Sequence, residues 1–367
     1  MPTLAAWRVA PLGIALAVGI TLWLVTAWRV RAMLRDPPRS RWIVRLLDEP
    51  VFWLWGAGIV ALPLLVVGAL VGAGGCAPTG PVRFGLFDAA LGSYGISLLV
   101  SAWSVWGRRR FVQVRRLEVP IAGLPPGFDG YGIAHLSDLH IGSFDGKERG
   151  LQWARLANDL GADLAVVTGD LVTSGTAHYS AAADVIGALR APDGVLVCMG
   201  NHDQWDNEAL TREVEARGPR VLKNSWTAIG RGEQTLIIAG IDDGYTDKND
   251  LDQTLDGRPA GAPTVLLAHY PSFFRGALAR GVELTLSGHT HGGQFGVPFW
   301  ADRWNIARAV GQASRGLLVE GSSALHVSAG LGTTGPPMRL GVAQEITLLT
   351  LRAAPPSKKS STMPASA

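Results

Sequence analysis

The chain has 367 residues, with 33 Lys and Arg against 30 Asp and Glu and a formal net charge of +3. That length holds one large or two ordinary domains, and so small a charge argues against a nucleic-acid binder. Charged residues make up only 17%, mean hydropathy is +0.20 and there are 13 Trp, a composition that leans toward a membrane.

The apolar character is concentrated at the N-terminal end. Residues 10–27 and 51–71 are nearly charge-free, and 89–106 is apolar but carries Ser93, Ser97, Ser101 and Ser104. Each run is close to the roughly 20 residues that a bilayer-crossing helix needs. The third either spans, with its small residues packed on the other two, or lies as a buried or interfacial helix. Arg29 and Arg31 follow the first run where a cleavage site would stand, as after a retained anchor.

Arginines set the expected orientation. Arg29, Arg31, Arg35, Arg39, Arg41 and Arg45 lie between the first two runs, and Arg83 between the second and third. Arg108, Arg109, Arg110, Arg115 and Arg116 follow the third. Positive residues stay in the cytoplasm, so three spans place the N-terminus outside and everything after Trp106 inside. The expectation is a multi-pass inner (cytoplasmic) membrane protein. Its transmembrane region is 1–110, a globular domain fills 111–352, and 353–367 forms a disordered tail. Cys76 and Cys198 are not expected to build a disulfide framework.

From Phe111 onward the pattern becomes α/β. Strand-like runs are predicted at 133–136, 164–168, 195–199, 236–241, 265–268, 284–286 and 346–351. Helices are predicted at 150–160, 181–189, 208–216 and 273–279.

Chemistry gathers where these strands end. The first leads into "SDLH", with Asp138 and His140 two residues apart. The second ends in "TGD" at Asp170, and the third in "GNHD" with Asn201, His202 and Asp203. "AHYP" brings His269, and "SGHTHGG" brings His289 and His291. Side chains at i and i+2 of extended backbone point the same way, and flanking glycines let the backbone crowd in. Ligands gather at the carboxyl ends of strands in open α/β sheets. Any one of these segments alone reads as a polar turn; all five in order point to a metal site. His135 is assigned either to the core or to a supporting position behind the site residues, and His178 and His326 receive no role.

The series "DLH…GD…GNHD…H…GHTH" resembles the calcineurin-like metallophosphoesterase superfamily over roughly residues 111–351, most closely a membrane-anchored branch similar to UDP-2,3-diacylglucosamine hydrolases. The resemblance implies an αββα sandwich of two mixed sheets. It implies one metal on Asp138, His140, Asp170 and His291, and a second on Asp170, Asn201, His269 and His289, with Asp170 bridging. His202 would be catalytic, giving the leaving group its proton, with Asp203 orienting the ring. A donor set of imidazole, carboxylate and amide without thiolate suits Mn²⁺, Fe²⁺ or Zn²⁺. The arginine and glutamate of the phosphoprotein-phosphatase branch are missing from "GDLVTSG" and "GNHDQW", which argues against phosphoprotein substrates.

The expected activity is hydrolysis of a phosphoester or pyrophosphate bond in a phospholipid or lipid-linked sugar nucleotide, UDP-2,3-diacylglucosamine of lipid A synthesis being the named example. The membrane is the expected partner; no nucleic acid and no protein partner is expected. The alternatives are an anchored phosphodiesterase of soluble substrates and a catalytically dead binding module. Phe295, Val297, Phe299, Trp300 and Trp304 form an apolar loop that either packs on its own core or offers a lip to acyl chains. Arg339 either reaches a phosphate or stays on the surface.

Overall fold

The computed structural model describes residues 36–73, 86–244 and 246–354, with part of 17–31. Half of the expected span 10–27 lies outside these residues, as do Cys76 and residues 355–367. A π-helical turn, Val44–Asp48, leads into helix α1, Glu49–Ala73. The stretch Arg41–Val67 is long and apolar enough to cross a membrane, with a mean hydropathy of 2.1. Among the described residues it is the one such helix, where about three were expected. The third expected span forms α2, Leu86–Ala102, only 17 residues long before a second π-helical turn, Trp103–Gly107. Ser97, Ser101 and Ser104 are buried, and the Ser101 hydroxyl donates to the Trp53 carbonyl of α1 at 2.7 Å. Ser101 thus ties α2 to α1, while Ser97 and Ser104 donate to carbonyls of their own helical segment.

The remainder is two mixed sheets. The first contains β1 (Val112–Ala122), β2 (Gly132–Leu136), β3 (Leu164–Thr168), β4 (Val195–Cys198), β5 (Arg220–Val221) and, last in the chain, β12 (Gln344–Ala354). The second contains β6 (Ser225–Arg231), β7 (Gln234–Gly240), β8 (Thr264–Leu267), β9 (Leu284–Ser287), β10 (Gly316–Glu320) and β11 (Ser323–Val327). Their orders are β1-β12-β2-β3-β4-β5 and β10-β11-β9-β8-β7-β6. β2 through β5 are parallel, as are β7, β8, β9 and β11; β12 runs antiparallel to β2. β12 extends to Ala354, two residues into the expected tail.

The central strands are covered on both faces, which is why they read as unbroken apolar runs. Ile133, Leu164, Val166 and Leu196 of the first sheet pack against Leu236, Ile238, Val265 and Leu284 of the second. The outer face of the first sheet packs on α3 (Lys147–Asn158), α4 (Tyr179–Ile186) and α5 (Asn207–Glu215), through Trp153, Ala182 and Leu210. The outer face of the second meets α6 (Leu251–Leu255) and α7 (Phe274–Ala279) through Leu255 and Ala277. Layer by layer this is helix, sheet, sheet, helix, as expected.

Helices α1 and α2 dock on this sandwich through buried polar groups. Arg109 is 1% exposed and donates to Glu49 at 2.8 Å and to Asp145 at 3.0 Å. The Trp106 indole donates to Glu49 at 2.7 Å, and the Arg339 amide donates to the Ser104 carbonyl at 3.1 Å. Phe52 stands edge-on to Phe144, with centroids 5.8 Å apart.

Candidate metal centre

The parallel strands β2, β3 and β4 of one sheet and β8 and β9 of the other all release their loops at the same end of the sandwich. Asp138, His140, Asp170, His289 and His291 all have positive φ, between 43° and 69°. Non-glycine residues rarely adopt this conformation, and clusters of it mark functional sites. Each turns sharply out of its strand and presents its side chain inward. Gly169 sits beside Asp170 with φ 79°, where a Cβ would meet the His269 ring at 2.6 Å.

Asp138, His140, Asp170 and His291 bring four ligand atoms within 4.8 Å of one another, all buried. His140 Nε2 is 3.1 Å from His291 Nε2. Asp170 Oδ2 lies 3.5 Å from His140 Nε2 and 3.3 Å from His269 Nε2, so it stands between two sets of donors. His269 is the near member of the other set, and its ring centroid lies 5.1 Å from that of His289. Nδ1 of His140 and of His291, Nε2 of His269 and Oδ1 of Asn201 are buried with no hydrogen-bond partner among the described residues. Buried polar atoms left unpartnered are costly and call for an explanation. Carboxylates, imidazoles and an amide oxygen facing one another fit a pair of divalent cations.

The electrostatics agree. Burial raises the Asp138 carboxyl to about 6, with the neighbouring Asp170 adding to the effect. Asp170 is buried too, yet the His269 and His202 imidazoles hold it well below the usual carboxylate range. Burial lowers His140 to about 3 and His289 to about 4, and pushes His291 well below its ordinary value. These three rings are therefore neutral at pH 7, the form that binds a cation. His269 differs: against burial, the Asp170 carboxylate raises it to about 10.

His202 does not meet Asp203 in the expected way. Its Nδ1 lies 2.5 Å from the Thr173 carbonyl, and its amide donates to Asp170 Oδ1 at 2.9 Å. Asp203 instead accepts the amides of Leu171 at 2.8 Å, Val172 at 3.3 Å and Gly200 at 2.9 Å. It ties the Asp170 loop to the Asn201 loop; Thr173 orients the ring. No sequence signal marks a backbone carbonyl for that role.

Three further expectations resolve. Arg339 is fully buried and donates to the carbonyls of Gly330, Gly332 and Ala343, bracing the loop whose Gly332 amide caps the Asp138 carbonyl. Its side chain is committed to protein, neither to the surface nor to a phosphate. His178 donates Nε2–H to the Asp36 carbonyl at 3.0 Å, and His326 pairs with His135 at 3.0 Å. Val297, Phe299, Trp300 and Trp304 are exposed, so that loop is not packed into its own core.

A profile described as calcineurin-like phosphoesterase matches residues 131–293, the span that holds every residue of the site. The bovine "Transmembrane protein with metallophosphoesterase domain" is 32% identical over 66% of this chain and 57% of its own length. Its zebrafish (Danio rerio) namesake is 29% identical over 74% of this chain and 65% of its own length. The chain thus spans less than two thirds of these two relatives. A metallophosphoesterase of Aquifex aeolicus is 31% identical over 70% of this chain and 98% of its own. With that relative covered almost end to end, and with its ligand-bearing loops converging as they do, the chain belongs to the calcineurin-like metallophosphoesterase family.

Proposed function

We propose that the chain is a membrane-anchored, metal-dependent hydrolase of phosphoester or pyrophosphate bonds, acting on a lipid-linked substrate. The buried Asp138–His140–Asp170–His291 cluster carries the reading. Asp138, His140, Asp170 and His291 would hold one ion, and Asp170, Asn201, His269 and His289 the other. When bound, such a pair makes water a nucleophile at neutral pH and neutralises charge on the phosphoryl oxygens.

The chain's own groups supply the rest. With Nδ1–H donating to the Thr173 carbonyl, His202 keeps Nε2 as the nitrogen that exchanges a proton. Protonated, it gives that proton to the departing oxygen, the general-acid role. Asp203 fixes the loops on either side through three backbone amides, so the His202 ring is aimed before substrate arrives.

Two observations support a membrane substrate. The Arg41–Val67 helix has the length and composition of a span, and the bovine and zebrafish relatives are named transmembrane proteins. The segment entering that helix lies on the rim of the site: Asp36 accepts the Ser143 amide at 3.0 Å, three residues past His140. UDP-2,3-diacylglucosamine is one substrate of the proposed class. The positive-inside pattern favours a catalytic domain in the cytoplasm of a multi-pass inner-membrane protein with its globular part over 111–352; a reporter fused after Ala367 reads this directly, and an external signal reverses it.

Purified full-length protein with Mn²⁺ should hydrolyse bis-p-nitrophenyl phosphate, lose the activity to chelator and regain it with metal. A folded chain inert with Mn²⁺, Fe²⁺ and Zn²⁺ alike would instead be a binding module. On UDP-glucosamine substrates, the diacylated form should show the lower KM; equal kcat/KM for acylated and bare forms points to soluble phosphodiesters.

A further inference from the structure

A cleft of about 700 Å³ opens between the end of α2 and the aromatic loop that follows the ligand His291. Leu99 and Trp103 form one wall, 74% and 60% exposed. Phe299 forms the other; it is 99% exposed and has a left-handed φ of 68°. Neither backbone preference nor burial within this chain favours a phenylalanine there. Its exposure makes sense if something apolar from outside meets it.

The polar end of the cleft is basic. Arg108 and Arg315 both line it, with Asp302. Arg315 pairs with Asp302 at 2.6 Å. Arg108 donates to the Gly341 carbonyl at 3.3 Å and has no carboxylate partner among the described residues. Two guanidiniums thus face one carboxylate, leaving one positive charge unmatched. Burial and the like charge of Arg315 both weaken the hold of Arg108 on its proton, and an anion between them would reverse that. Arg108 follows directly on the π-helical turn that ends the α2 segment, the depth at which arginines and indoles meet lipid headgroups. The Arg315 stem also packs beside Gly292, next to the ligand His291.

We infer that this cleft binds an anionic membrane phospholipid, its phosphate between Arg108 and Arg315 and the start of one acyl chain between Trp103 and Phe299. The inference rests on the membrane placement proposed above and assigns a lipid site beside the metal centre. A free phosphate would use the two arginines and leave the apolar walls bare. An uncharged or zwitterionic lipid would cover the walls and leave the charge unmatched.

The test is native mass spectrometry of the full-length protein in neutral detergent, with dioleoyl phosphatidylglycerol or dioleoyl phosphatidylcholine added at equal concentration. Wild type should retain one phosphatidylglycerol adduct in clear preference to phosphatidylcholine. Arg108→Ala removes a charge-assisted contact and should weaken that adduct about tenfold or more. Phe299→Ser alters an exposed side chain, so the fold survives, and it should weaken retention of both lipids. Equal retention of the two lipids by wild type overturns the proposal, as does an adduct that both variants leave unchanged. Alkaline carbonate extraction of cell membranes reads the membrane placement separately. A chain that resists extraction yet shows no selective adduct overturns the lipid site and leaves the membrane reading standing.

Discussion

Asp170 is the residue on which the site turns. Its carboxylate faces His140 on one side and His269 on the other, at 3.5 and 3.3 Å. Asp170→Ala should therefore lose both ions and all activity, whereas Asp138→Ala should mainly weaken one ion. Elemental analysis after dialysis separates the two, and full two-ion occupancy in the Asp170 variant would contradict the bridging assignment. His202 makes a different prediction because it sits at the mouth, its ring edge-on to His140 at 4.7 Å. His202→Ala should retain metal and lower kcat by about 10²–10⁴ on esters with poor leaving groups. It should lower kcat much less on nitrophenyl esters, whose leaving group departs without a proton. A uniform loss across leaving groups would make His202 a structural residue. The candidate donors stood out in the sequence because metal chemistry limits ligands to a few residue types placed beside glycines. The left-handed turns at five of those candidate donors were not legible, since the surrounding loops impose them against the residues' own preference.

At the scale of elements, the strands missed from sequence share a position. β1, β5, β6 and β10 are the four edges of the two sheets. β1 reads "VQVRRLEVPIA" and is half exposed, with Pro120 inside it, a residue tolerated at an edge. β5 has two residues and exists only through its pairing with β4. Central strands announce themselves by continuous burial, and edges do not. β11 is the exception, a fully buried strand whose His326 interrupted the apolar pattern. The attachment of the helices to the sandwich was equally hidden, because Glu49, Arg109 and Asp145 are distant in sequence and each looks like a surface charge. Arg109→Met would leave the buried Asp145 carboxylate without its cation and Glu49 with only the half-exposed Arg110, a change that costs about 3–5 kcal/mol. Asp145 belongs to the loop that follows ligand His140, and its carbonyl accepts the Gly142 amide at 3.0 Å. The variant should therefore lower both the unfolding midpoint and the affinity for the ion held by His140. Loss of stability with unaltered metal affinity would show that the clamp holds helix to domain without steadying the site.

Across the whole molecule, the two sheets enclose a polar seam that ties their packing to pH. His135 of β2 contacts Thr168 at 2.8 Å and His326 of β11 at 3.0 Å, and His326 lies 3.7 Å from Glu345 of β12. All four side chains are fully buried. Burial lowers His135 from 6.5 to about 3 and pushes His326 well below its ordinary value, where the two rings also oppose each other's charge. Below pH 6.5 the unfolded chain takes up a proton on residue 135 that the folded chain refuses until about 3. The seam's contribution is thus fully present above pH 6.5 and is lost as pH falls toward 3. One such proton changes stability by ~1.4 kcal/mol per pH unit within that window. His140, His289 and His291 titrate in the same direction and His269 in the opposite one, so acid sensitivity alone does not isolate the seam. His135→Asn keeps a polar side chain and removes the titration. Its unfolding free energy, measured by denaturant at pH 4 to 7, should fall less steeply with acid than that of wild type. The two proteins should therefore converge in stability as pH drops, even though the variant starts lower at pH 7. Parallel curves over that range would mean that His135 is protonated alike in both states and that the seam holds the sheets together without sensing pH.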